Sequence, residues 1–152
     1  SLSSVQELAG DKEWIQLDQV LEQILDQYKV LAQSRSLTID NQIPDKAVYM
    51  DPAILKLVLS NVISNAVKHS DAGGEIQLRL EEEGTHLAVE NTSQEMVEIA
   101  EMPMTACRQK KEGGLGLFVV QHLLDHEELA YQFDKTAMGL RFRMELPKDP
   151  QE

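Results

Sequence analysis

PAILKLVLSNVISNAVKHS, residues Pro52 to Ser70, is the stretch whose reading decides the fold. Asp51 is placed to cap a helix, and Pro52 suits its first position, where a missing N–H does no harm. Ile54, Leu55, Val58, Leu59, Val62, Ile63 and Ala66 recur at helical spacing. Asn61, Asn65 and Lys68 fall within an arc of roughly 60° at about 100° per residue. That arc overlaps Ile54 and Val58, so the spacing aims two amides and an ammonium at the protein. Lys56, Ser60 and Ser64 point elsewhere and read as solvated. A buried amide without a partner costs about 1–3 kcal/mol. Two explanations stay open: the asparagines bond a neighbouring strand or ordered water, or they floor a ligand site. Amide oxygens suit a hard cation such as Mg²⁺, and a lysine suits phosphate.

Outward from this helix, the chain reads as alternating elements. Residues 1–13 read as the end of a helix, with Leu2, Val5 and Leu8 apolar at helical spacing and Gly10 as a stop. Trp14 to Leu17 reads as a short strand, and Asp18 to Ser34 as one amphipathic helix burying Val20, Leu21, Ile24, Leu25, Tyr28, Leu31 and Ala32. Short strands follow at Leu37–Ile39 and Ala47–Met50, separated by a turn at Pro44.

Past the helix, Asp71 to Gly74 is a turn. Glu75–Glu82 and Thr85–Asn91 alternate as a hairpin, with Ile76, Leu78, Leu80, Leu87 and Val89 inward. The same parity turns Asn91 inward, at the mouth of any pocket. Residues 92–112 have no sustained period; irregular segments of this length are mostly lids, binding loops or disordered. Arg108 to Lys111 concentrates positive charge there, either as a solvated loop tip or facing an anion. Gly113-Gly114-Leu115-Gly116 then opens a mostly apolar helix from Leu117. Free N–H groups at a helix start attract anions, and glycines let a ligand approach the backbone. A second hairpin, Ala130–Phe133 with Gly139–Leu146, turns Leu140, Phe142, Met144 and Leu146 inward. Strands outnumber helices and pair mostly as neighbours. The expected fold is a two-layer α/β sandwich, with helices on one face of a mixed, largely antiparallel sheet.

Composition narrows the function. The 152 residues suit one domain, and 42% hydrophobic content can build a core. A net charge of −12 disfavours nucleic acid and anionic membrane as main partners, and requires any phosphate site to be locally basic. No apolar run approaches a membrane span, and the opening residues lack the features of a signal peptide. A single Cys107 precludes an internal disulfide and fits a reducing cytoplasm. His122 and His126 are four apart in HLLDH rather than HExxH, with no third ligand evident.

Three motifs together resemble the ATP-binding catalytic domain of bacterial sensor histidine kinases, in the GHKL group that includes gyrase and MutL. Asn61-Val-Ile-Ser-Asn65-Ala-Val-Lys68-His-Ser resembles the N-box. Gly114-Leu115-Gly116-Leu117 resembles the second glycine box. Gly139-Leu-Arg-Phe142, followed by Leu146-Pro147, resembles the closing GTxF hairpin. The likeness runs over residues 14–147. It implies a Bergerat-type fold, with ATP and Mg²⁺ as ligands. It also implies that Asn65 binds Mg²⁺, that Asn61 lines the phosphate pocket, and that Lys68 and the backbone of Gly114 and Gly116 hold phosphate. Asn91 falls where the adenine-reading Asp belongs. Residues 92–113, with Arg108 and Lys110, would form the ATP lid. Residues 1–13 become the stub of a dimerisation helix, 14–148 the catalytic domain and 149–152 a tail.

Departures qualify the likeness. The first glycine box reads Asn91-Thr-Ser-Gln-Glu, with neither glycine and no Asp. Met102-Pro103-Met104 stands where an aromatic box is usual, and Leu140 replaces a Thr. None of the four histidines has the setting of a phosphoacceptor. The family reading is therefore a catalytic fragment that transfers the ATP γ-phosphoryl group to a His on a separate dimerisation domain. Its parent would be anchored in the membrane with this domain in the cytoplasm, and would signal to a response regulator. The alternative is a degenerate domain acting through protein contacts. A hydrolase or free-standing serine kinase would want a carboxylate at position 61, where this chain has an amide.

Overall fold

The computed structural model describes residues 10–94 and 114–151, with side chains from Gly116 onward in the second segment. The segment 1–13 read as a helix end lies largely outside the described residues, as do most of the expected lid, Arg108, Lys110 and the side chain of Leu115.

In chain order the elements are β1 (Glu13–Gln16), α1 (Leu17–Gln27), α2 (Lys29–Ser34), β2 (Thr38–Asn41), β3 (Ala47–Met50), α3 (Pro52–His69), β4 (Glu75–Glu81), β5 (His86–Thr92), α4 (Gly114–His126), β6 (Tyr131–Lys135) and β7 (Gly139–Glu145). β1 and β3 pair antiparallel as a separate ribbon. The main sheet runs β2-β4-β5-β7-β6. Only its β2–β4 pair is parallel, with Ile39 beside Ile76; the other three pairs are antiparallel. The fold is the two-layer sandwich expected from the sequence.

α3 forms where its signals place it. The Asp51 side chain accepts the Ala53 N–H at 2.9 Å and also takes the Gly10 N–H. This satisfies one of the donors a helix start leaves open. The seven apolar positions of the stripe are buried, together with Val67. They meet Leu17, Leu21 and Ile24 of α1, Leu123 and Leu124 of α4, and the inward sheet residues Ile76, Leu78, Leu87, Val89, Phe142 and Met144 in one core. Beyond His69 the backbone turns extended at Ser70, and Gly73 at φ +80° completes the turn.

The opposite, helix-free side of the sheet carries charge. Arg79 bridges Glu81 and Glu90, each at 2.9 Å; Arg141 meets Asp134 at 2.9 Å, and Arg143 meets Glu81 at 3.1 Å. Alternation of side chains along each strand separates this polar face from the apolar one.

Two expectations fail locally. Asp18–Ser34 is not one helix: the chain breaks at Tyr28, whose φ of −101° and ψ of 7° leave the helical region. The Tyr28 hydroxyl lies beside Ser64 and Ser60 of α3, and its ring packs against the core. The break re-aims the residues after it, and Leu31 is at the surface, 37% exposed, instead of in the core. Leu17, expected at the end of a strand, is instead the first residue of α1 and is fully buried. Among the described residues no helix is long and apolar enough to cross a membrane.

Candidate functional site

The site is built where α3, α4 and the centre of the sheet meet. Asn65 lies on the buried side of α3 and is 8% exposed; Asn91 lies on the inner side of β5 and is 4% exposed. Both line one small cavity of about 10 Å³, with Val62, Ala66, Val89, Leu117, Phe133, Leu140 and Phe142 as the other walls. That space is about what one water needs. Asn65 Oδ1 and Asn91 Nδ2 are both buried there without a hydrogen-bond partner. An orphaned amide atom costs about 1–3 kcal/mol, so an acceptor and a donor left open in one cavity mark a place for a polar group.

Asn61 sits one turn before Asn65 and is half-buried. Its Nδ2 donates to Leu57 O at 2.7 Å. Its Oδ1 faces α4: a Cβ on Gly116 would stand 3.2 Å from that oxygen. Glycine at 116 thus lets the first turn of α4 lie against the asparagine face. Gly114 and Gly116 belong to the helix itself, whose first residue is Gly114, rather than to a loop before it. Leu117, 1% exposed, seals the cavity from the α4 side.

Lys68 does not share this burial. It is exposed in the last turn of α3, where a cation complements the helix carbonyls. The arc that aimed it inward was too generous at the helix end. Ser60 and Ser64, expected to be solvated, are half-buried. The bond from Ser64, then that from Ser60 and the Lys68 charge, lower the Tyr28 hydroxyl pKa against the opposing effect of burial.

Two residues here take on site roles that the sequence reading did not assign. Ser93 is buried, 3% exposed, and its hydroxyl donates to His69 O at 3.1 Å. Gly139 pairs with Thr92, and a Cβ there would lie 2.3 Å from Asn91 O, so only glycine fits. Parity with Asn91 is the signal that identifies Ser93 as inward-facing.

Larger hollows lie elsewhere. One of about 230 Å³ sits between the β1–β3 ribbon and residues 145–149, and a groove of about 350 Å³ runs between α1–α2 and β2. Neither contains an orphaned amide, so the chemistry points to the smaller cavity. No group of metal-ligating acids, histidines or cysteines occurs among the described residues. Mg²⁺ would therefore rest on a neutral oxygen and on phosphate, and the open Asn65 Oδ1 fits that donor type.

The fold is thus a two-layer sandwich with an amide-lined cavity under a glycine-opened helix. The model of the histidine kinase-, DNA gyrase B- and HSP90-like ATPase family matches residues 50–150, and the chain belongs to that family. It is 31% identical over 153 residues to the sensor histidine protein kinase HK06 of Streptococcus pneumoniae serotype 2 (strain D39 / NCTC 7466), covering 95% of this chain and 34% of that protein. It is 29% identical over 145 residues to the sensor protein VanSB of Enterococcus faecalis (strain ATCC 700802 / V583), covering 88% and 32%. The chain thus spans about a third of the length of the curated relatives it matches. Among solved structures, the catalytic domain of histidine kinase ThkA superposes with a TM-score of 0.77 at 21% identity, covering 93% of this chain and 99% of that one. The cytoplasmic segment of histidine kinase QseC gives 0.72 at 17% identity, covering 97% and 89%. These two likenesses extend to the fold.

Proposed function

We propose that this chain is the catalytic domain of a sensor histidine kinase, binding ATP·Mg²⁺ and presenting the γ-phosphoryl group to a His on a separate dimerisation domain. The observation that carries the reading is the convergence of Asn65 Oδ1 and Asn91 Nδ2, both unpartnered, in one cavity beside the glycine-opened helix. The names of the relatives, sensor kinases at 29–31% identity, support the same reading.

In this account Asn91 reads adenine and Asn65 holds Mg²⁺. Asn61 lines the phosphates, with its Oδ1 already turned to Gly116. Lys68, Arg108, Lys110 and the backbone of Gly114 to Leu117 supply positive charge and N–H groups to phosphate oxygens in an otherwise acidic chain. Mg²⁺ supplies charge neutralisation across the phosphates. The imidazole of the partner domain attacks the γ-phosphorus, and the bond to the oxygen of ADP breaks. The protein's part is to position the phosphates and shield their charge. With an amide at position 61 there is no carboxylate to activate water, which disfavours hydrolysis. The parent would be membrane-anchored with this domain in the cytoplasm, and would pass the phosphoryl group to a response regulator.

The test is phosphoryl transfer. Incubated alone with γ-labelled ATP and Mg²⁺, the chain is expected to acquire no label and to release phosphate at background rate. A dimerising domain carrying the acceptor His, added in trans, is expected to become labelled. Robust phosphate release by the chain alone would contradict the reading and favour a hydrolase.

A further inference from the structure

We propose that Ser93 is a positioning residue for the nucleotide site, its buried hydroxyl fastening the end of β5 to the last turn of α3 and so fixing Asn91 relative to Asn65. The proposal rests on the nucleotide-site reading above. Ser93 Oγ donates to His69 O at 3.1 Å. That carbonyl ends α3 and is one of the acceptors a helix leaves without an intrahelical donor. A second tie runs beside it, from Asp71 N–H to Thr92 O at 2.9 Å.

The two periodicities make this staple bear on the site. His69 lies four residues after Asn65, on the same side of the helix; Ser93 lies two after Asn91, on the same side of the strand. The bond thus joins points one turn and one strand repeat away from the two open amides. β7 closes the other side. A Cβ on Gly139 would stand 2.3 Å from Asn91 O and 2.4 Å from Ser93 N, so the strand end is held between α3 and β7. A glycine at 93 would offer no such side-chain tie.

The test is a double-mutant cycle on the chain, reading affinity for ATP·Mg²⁺ by titration. Ser93→Ala is expected to weaken binding about tenfold, the equivalent of roughly one hydrogen bond. In an Asn91→Ala background the same change is expected to cost less than about twofold, because its effect passes through Asn91. Full additivity, or unchanged affinity in Ser93→Ala, would overturn the proposal. A nucleotide-free readout runs in parallel: the side-chain amide NMR signals of Asn65 and Asn91 are expected to shift or broaden in Ser93→Ala. If the wild-type chain binds no ATP, the nucleotide reading fails, and these signals still decide the role of Ser93; unchanged signals overturn it. Ser93→Gly repeats both measurements should the alanine variant fail to fold.

Discussion

At the scale of single residues, the site is defined by what its amides lack. Asn65 Oδ1 has no partner, so removing it forfeits no bond within the protein. Asn65→Ala is therefore expected to abolish Mg²⁺-dependent ATP binding while melting close to the wild type, as thermal denaturation with and without nucleotide would reveal. Unchanged affinity would remove Asn65 from the metal site. Asn91 presents both a donor and an acceptor and can rotate to match either purine. Asn91→Asp, accepting only, is expected to raise the preference for ATP over GTP by about 1 kcal/mol, one hydrogen bond's worth. Competition binding measures it, and equal selectivity would mean that position 91 does not read the base. The inward turn of Asn65 and Asn91 was legible because helical and strand periods are local properties. The exposure of Lys68 was not, because which side of the last turn of α3 is covered depends on distant elements: Ala66 and Val67 are buried beside it while Lys68 faces out. Ser93 escaped notice because its partner, the His69 carbonyl, is 24 residues away in sequence.

At the scale of elements, ends and breaks decide more than propensity. Asp51 both caps α3 and takes the Gly10 N–H. Asp51→Ala is expected to cost about 1–2 kcal/mol by chemical denaturation, as lost caps do, whereas Asp51→Ser, which keeps an acceptor, should recover part of it. At the β4–β5 turn, Glu82 and Glu83 hold φ of 51° and 58°, a region L-residues enter at a cost. Glu82 pairs with Arg143 and His86, whereas Glu83 makes no ion pair among the described residues. Glu83→Asn is expected to stabilise the chain by several tenths of a kcal/mol, up to about 1; a lower melting temperature would contradict this. α3 and both hairpins were readable from apolar spacing. The α1–α2 break was not, since the apolar spacing continues through Tyr28 while its backbone leaves the helical region.

At the scale of the whole molecule, acidity and architecture pull in different directions. A chain of net charge −12 repels a polyanion at long range. Binding ATP must then depend on local features such as the N-terminal end of α4 and a cation. The order of elements was enough to imply a sandwich, because neighbouring strands pair and amphipathic helices must cover one face of the sheet. The separate β1–β3 ribbon could not be foreseen, since its two strands are joined across α1, α2 and β2. The cavity between the two asparagines, about 10 Å³, is smaller than a purine. A nucleotide at this site would require its walls to widen, and Leu117 at the start of α4 is one of them. Calorimetric titration of the chain with ATP, with and without Mg²⁺, shows whether these open amides serve ATP·Mg²⁺. One saturable ATP site that requires Mg²⁺ is the predicted result; no heat of binding under either condition would contradict the account.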